Sequence, residues 1–133
     1  MQHEAYSTIL YLRLQREHKV LYTIPVPGRQ FIATEVSRMT IQDDGIRLDA
    51  VLEVPEGHDG HRLVIQLHGF TGTKDRPHNI RAAAAMRDAG FATLRFDLYG
   101  HGESGGEFRN HTLFKWISNT MAVIHWAPEG WSR

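Results

Sequence analysis

Two short loops hold the residues of this chain whose types and spacing suit chemistry. The first, His68-Gly69-Phe70-Thr71-Gly72, follows directly on the mostly apolar run 63–67. A tight loop of this kind aims backbone N–H groups at an oxygen that becomes negative during acyl transfer. Glycine at 69 and 72 lets the backbone approach a ligand closely. The second loop, from Asp97 to Gly106, follows the run 91–96 and contains Gly102-Glu103-Ser104-Gly105-Gly106. That string matches the G-x-S-x-G pattern of a nucleophilic serine, which sits on a sharp turn between a strand and the helix that follows at once. Here the strand-like run ends near Phe96, well before Ser104, and Gly105-Gly106-Glu107-Phe108-Arg109-Asn110 is poor helix material. The Ser104 hydroxyl therefore reads as a loop hydrogen-bonding group, and no catalytic residue is assigned.

Other chemistries fit less well. A phosphate-binding P-loop needs Gly-Lys-Ser/Thr opening a helix, and this loop has no lysine. Gly100, Gly102 and Gly105 have the spacing of a dinucleotide fingerprint, but they follow the second strand of the unit and open no helix. The nine histidines include His58, His61, His68, His78, His101 and His111, without an H-E-x-x-H or an i,i+4 pair on a confident helix. They read as surface or loop-packing residues; no metal site and no cofactor is expected. The absence of cysteine excludes disulfides, a thiol nucleophile and thiolate metal sites.

Fifteen basic residues balance fifteen acidic ones, so no strong field recruits nucleic acid or an anionic membrane. Phe114, Trp116 and Trp126 suit core or partner-facing packing better than stacking on bases. The apolar stretch 6–14 is interrupted by Arg13 and followed by Arg16. No run approaches the ~18 apolar residues of a membrane span, and the stretch lacks the charge order of a secretory signal. The expected location is cytoplasmic.

These loops need elements to position them. Residues 39–54 predict a β-hairpin turning at Asp43-Asp44-Gly45. Ile46, Leu48, Ala50, Leu52 and Val54 alternate with Arg47, Asp49 and Glu53, which predicts one buried and one largely wet face. The run 63–67 reads as a strand covered on both faces. Alanine-rich 79–89 predicts a helix closed by Gly90, and 91–96 the next strand. Residues 112–127 predict a helix with Leu113, Ile117, Met121 and Ile124 on one face, ended by Pro128. The fold class is thus α/β: an N-terminal hairpin, a βαβ unit and a following helix, with the sheet incomplete. Residues 1–38, with alternation at Leu10, Leu12 and Leu14, carry no chemical motif. Two readings stand for them, an added strand or packing arm, and upstream translation ahead of a start at Met39.

Residues 39–127 resemble the α/β-hydrolase superfamily, and most of all its bacterial cinnamoyl (feruloyl) esterase and serine aminopeptidase-like members. The resemblance rests on MTIQDDGIRLDAVLEVP, LVIQLHGFTG, FATLRFDLYGHGESGGEF and HTLFKWISN; residues 1–38 and 128–133 find no counterpart. It implies a serine carboxylesterase acting on a small ester through an acyl-enzyme. It also implies that the Phe70 N–H is an oxyanion donor, that His68 and Gly69 shape its loop, and that 97–104 braces the site. The family's serine, acid and histidine follow later strands and have no counterpart in this sequence. The chain is therefore expected to be inactive alone; the alternative is a non-catalytic remnant or partner-binding module on a hydrolase scaffold. One edge of the strand 91–96, or of a neighbour, should be unpaired and open to self-association, and the apolar face of the last helix partly bare.

Overall fold

The structure, a computed structural model, describes residues 11–14, 17–22 and 33–131. Six strands, β1 (Tyr11–Leu14), β2 (Glu17–Tyr22), β3 (Thr34–Asp43), β4 (Ile46–Pro55), β5 (Leu63–Gln66) and β6 (Ala92–Phe96), join two helices, α1 (Pro77–Asp88) and α2 (Leu113–Trp131). They form one sheet in the order β1-β2-β3-β4-β6-β5. All pairs are antiparallel except β5–β6, which is parallel and is bridged by α1. This is the expected hairpin, βαβ unit and trailing helix.

Asp44 and Gly45 both have positive φ, 48° and 75°, and join β3 to β4 in the two-residue turn that suits twisted strands. The turn sets the register, with Ile41 opposite Leu48 and Met39 opposite Ala50. The hairpin is longer than the sequence predicts. β3 begins at Thr34 and so crosses the expected boundary at 38/39, and β2 pairs along its outer edge, Val20 opposite Val36.

Period-two alternation separates the two faces of the sheet. Ile41, Leu48, Ala50, Leu94 and Phe96 share one face and form the core with Leu98, from the loop after β6, and with Val123 of α2. The opposite face of β4 and β6 is not wet, which corrects the reading from alternation: Glu53, Thr93 and Arg95 are 8%, 0% and 5% exposed. They are buried because α1 lies over them, as the Arg87–Glu53 ion pair shows. α1 starts with proline in its first turn, where the missing N–H costs nothing. It ends where Gly90 adopts φ 88°, with Phe91 N–H bonded to Met86 O and Gly90 N–H to Arg87 O, a Schellman closure that glycine permits.

Two further expectations change, those for the cover of β5 and for the end of α2. β5 is an edge strand, and all four of its residues are only half-buried. β6 lies inside the sheet, so the open edge belongs to its neighbour β5. The stripe Leu113, Ile117, Met121 and Ile124 of α2 is turned away from the core, at 69%, 51%, 44% and 42% exposure, in line with the partly bare apolar face expected of this helix. Trp116, Asn119, Val123 and Ala127 face the sheet instead. The helix is apolar along two stripes, and periodicity alone does not say which one docks. Finally, α2 continues past Pro128 to Trp131. A proline weakens one turn by removing an N–H, without forbidding helical dihedrals beyond it.

Candidate functional site

Gln66 pairs with Arg95 in the parallel β5–β6 ladder, so the loops after both strands leave the sheet at the same end. That carboxyl end is where open α/β sheets hold ligands.

The first loop is organised by His68, which is 5% exposed. Its Nε2 accepts the Leu98 N–H at 3.0 Å, and its Nδ1 lies 2.8 Å from Gly69 O. Because Leu98 N–H can only donate, Nε2 must be unprotonated and Nδ1 carries the proton. Burial lowers the His68 pKa, and the nearby His101 and Lys74 add to that against the opposing pull of Gly69 O and Asp97. Gly69 O also accepts the Gly72 N–H at 2.9 Å. The peptide is trans, so a carbonyl held inward turns the Phe70 N–H the other way. Among the described residues that N–H has no acceptor. Thr71, within this turn, has φ 59°, a conformation that costs a β-branched residue roughly 1–3 kcal/mol.

A buried charge cluster ties this loop to the second one. Lys74, 2% exposed, places Nζ at 2.7 Å from Asp49, 2.8 Å from Asp97 and 3.1 Å from Asp75. Burial works against its charge, but the three carboxylates outweigh burial and raise its pKa well above the usual lysine value. Asp97 is fully buried. Burial would raise its pKa, yet bonds from Lys74 Nζ, Lys74 N–H and Glu103 N–H hold it below the usual carboxylate value. A Cβ at Gly102 would overlap the Asp97 carboxylate, so only glycine fits there. Arg95 extends the network, its Nε donating to Lys74 O and its guanidinium paired with Glu53.

Ser104 is occupied by the same scaffold. Its hydroxyl donates to Asp97 O at 2.5 Å and accepts the Asp49 N–H at 2.9 Å. The hydroxyl clamps the glycine loop to β4, and its two hydrogen-bond partners are both backbone groups.

Rings from both loops and from the segment after them meet in a run of contacts that their spacing in the sequence does not reveal. Phe70 meets Phe108 at 5.7 Å and His111 at 5.3 Å, and His111 stacks on Trp116 at 5.7 Å. His101 contacts His68, Phe108, His111 and Trp116 at 5.0–5.5 Å. His101 is 4% exposed; its Nδ1 lies 2.8 Å from Tyr99 O, and its Nε2 has no partner among the described residues. Phe70 and Phe108 are 64% and 45% exposed and form a wall beside the first loop. Lys74 was missed too, since lysine is rarely buried and nothing in the spacing marks it. Among the described residues, no three His, Asp or Glu side chains are arranged to hold a metal ion. Likewise, no described helix is long and apolar enough to cross a membrane.

Comparison with known proteins agrees with this geometry. No family model matches the chain. The esterase Est1E from Butyrivibrio proteoclasticus, solved with ferulic acid bound, is similar at 44% identity and a TM-score of 0.65 over 68% of this chain. An alpha-beta serine hydrolase homologue from Coxiella burnetii is similar at 26% identity and a TM-score of 0.64 over 71% of the chain. An uncharacterized 31.7 kDa protein from the traX-finO intergenic region of Escherichia coli is 39% identical over 89 residues, or 65% of this chain. The chain spans 36% of the length of Est1E, 46% of the Coxiella protein and 29% of the Escherichia coli relative. Its hairpin, its parallel βαβ unit and these similarities identify it as part of an α/β-hydrolase fold, resembling esterases and serine hydrolases.

Proposed function

We propose that this chain supplies the oxyanion-binding part of a serine carboxylesterase. The observation that carries this reading is the Phe70 N–H, turned outward by a doubly anchored Gly69 carbonyl and without an acceptor among the described residues. Such a donor stabilises the negative oxygen of a tetrahedral intermediate, an effect worth roughly 10²–10³ in rate. His68 and Gly69 fix its direction; the Lys74–Asp97 cluster holds the loop in place. The nucleophilic serine, its histidine and its acid are contributed from outside the described residues, since Ser104 is engaged as a clamp. The chain alone is therefore inactive. The exposed Phe70–Phe108–His111 wall and the similarity to Est1E with ferulic acid bound support a small ester with an aromatic acyl group. We further propose a cytoplasmic location, since a chain without cysteine suits a reducing compartment, and association of copies through the open edge of β5.

Titrating ¹⁵N-labelled protein with ferulate tests the site. The Phe70 amide and the Phe108 and His111 rings should shift together while the β3–β4 amides stay still. Unmoved Phe70 and ring signals at millimolar ferulate would overturn the assignment. A second reading, a non-catalytic partner-binding scaffold, is favoured by the exposed stripe Leu113, Ile117, Met121 and Ile124. It requires a partner that protects this stripe while leaving Phe70 unaffected.

A further inference from the structure

His68 joins three things at once: the turn that carries Phe70, the start of the glycine loop at Leu98, and the buried imidazole of His101. Both of its ring nitrogens are committed, and they are committed in one protonation state only. With the proton on Nδ1, the ring donates to Gly69 O and accepts from Leu98 N–H. A proton added at Nε2 sets two N–H groups against each other across that 3.0 Å contact. The Leu98 N–H then loses its acceptor, and the ring loses its hold on the glycine loop.

We infer that His68 is an acid-released latch: neutral, it ties the turn bearing Phe70 to the glycine loop, and on protonation it lets the two loops separate. The groups that face it are Gly69 O from its own loop, Leu98 N–H and the Asp97 carboxylate after β6, His101 of the glycine loop, and Lys74 from the segment leading into α1. Trp116 of α2 and His111 pack on the far side of His101. Asp97 attracts a proton to His68, but it is already engaged by Lys74, and burial above all, with the neighbouring His101 and Lys74, opposes it. The His68 pKa therefore lies below its ordinary value of 6.5. Latch stability is fully present above that value and is lost as pH falls through the lowered folded value. Release matters for catalysis because the Gly69–Phe70 peptide plane is what directs the Phe70 N–H. That consequence rests on the oxyanion reading; the latch itself does not.

NMR of the full chain from pH 8 to pH 4.5 tests the latch. His68 should hold its Nδ1–H tautomer well below pH 6.5, and the Leu98 and Phe70 amides should then move with its titration while β3–β4 amides hold. In His101→Phe, which leaves both latch bonds in place, the same coupled transition should survive at a higher pH. Titration of His68 without movement at Leu98 would overturn the latch. So would simultaneous movement of Leu98 and the β3–β4 amides, which would mean global acid unfolding. Should ferulate fail to shift Phe70 while Leu98 still follows His68, the latch stands and the oxyanion reading falls.

Discussion

The two faces of the same four strands, β3, β4, β6 and β5, do different work. On the α2 side, Ile41, Leu48, Ala50, Leu94, Phe96 and Val123 form a hydrocarbon core. On the α1 side, Lys74, Asp49, Asp75, Asp97, Arg95, Glu53 and Arg87 form an ionic layer under the helix. Apolar burial is non-directional and stabilises by area. An ionic layer gains little net stability, because desolvation offsets most of the attraction, but it is directional. Here it fixes where the ends of β5 and β6 hold their loops. The molecule draws stability from one face and geometry from the other.

Breaking each face gives the largest and most distinct effects. Phe96→Ala should cost about 3–5 kcal/mol in urea unfolding through cavity formation, with no pH signature of its own. Lys74→Met should cost a similar amount, about 3–5 kcal/mol, because it strands buried carboxylates. Its cost, unlike that of Phe96→Ala, should depend on pH. The Asp97 pKa is lowered, so its stabilisation is complete above 3.8 and lost as pH falls through the folded value. The Lys74 pKa is raised, so its contribution is complete below 10.5 and lost as pH rises through the folded value. The defect of Lys74→Met should therefore be flat near neutrality and shrink toward either extreme. Adding Asp97→Asn to Lys74→Met should recover part of the stability. Equal pH dependence in the Phe96 and Lys74 variants would remove the distinction between the faces.

Ser104→Ala sharpens the comparison at smaller scale. It leaves the Asp49 N–H and Asp97 O without the hydroxyl between them, at about 1–2 kcal/mol. Amide exchange should quicken in the glycine loop and hardly at all in the α2-side core. Smallest of all is Ile117→Ser on the exposed stripe of α2. Its effect on unfolding should stay within about 0.5 kcal/mol, and self-association in sedimentation should be unchanged, since the proposed contact between copies is the edge of β5 and not this stripe. A cost as large as that of Phe96→Ala would mean the stripe is packed.

The same contrast explains what was legible in the sequence. The hairpin turn at Asp44-Gly45, the cap at Gly90 and the two loops follow from local chemistry, and the structure has them. The choice between the two apolar stripes of α2 is tertiary and cannot be read from helical spacing. Arg47, Asp49 and Glu53 alternate as a solvated face would, yet α1 covers Glu53. A buried ionic layer and a solvated face have the same sequence pattern. Of the site, His68, Gly69 and Phe70 stand at the end of β5 where the motif predicts. Lys74 was not legible, and the packing rings His101, His111 and Trp116 could not be joined into one cluster, because their partners lie on other elements.

With an oxyanion turn proposed at His68–Gly72, Ser104 serves as a clamp of the glycine loop and not as a nucleophile. Incubation with a serine-reactive fluorophosphonate, followed by intact-mass and peptide analysis, tests it most directly. No adduct is expected on Ser104 under conditions that fully label a control serine esterase. An adduct on Ser104, lost in Ser104→Ala, would contradict it and make this serine a nucleophile.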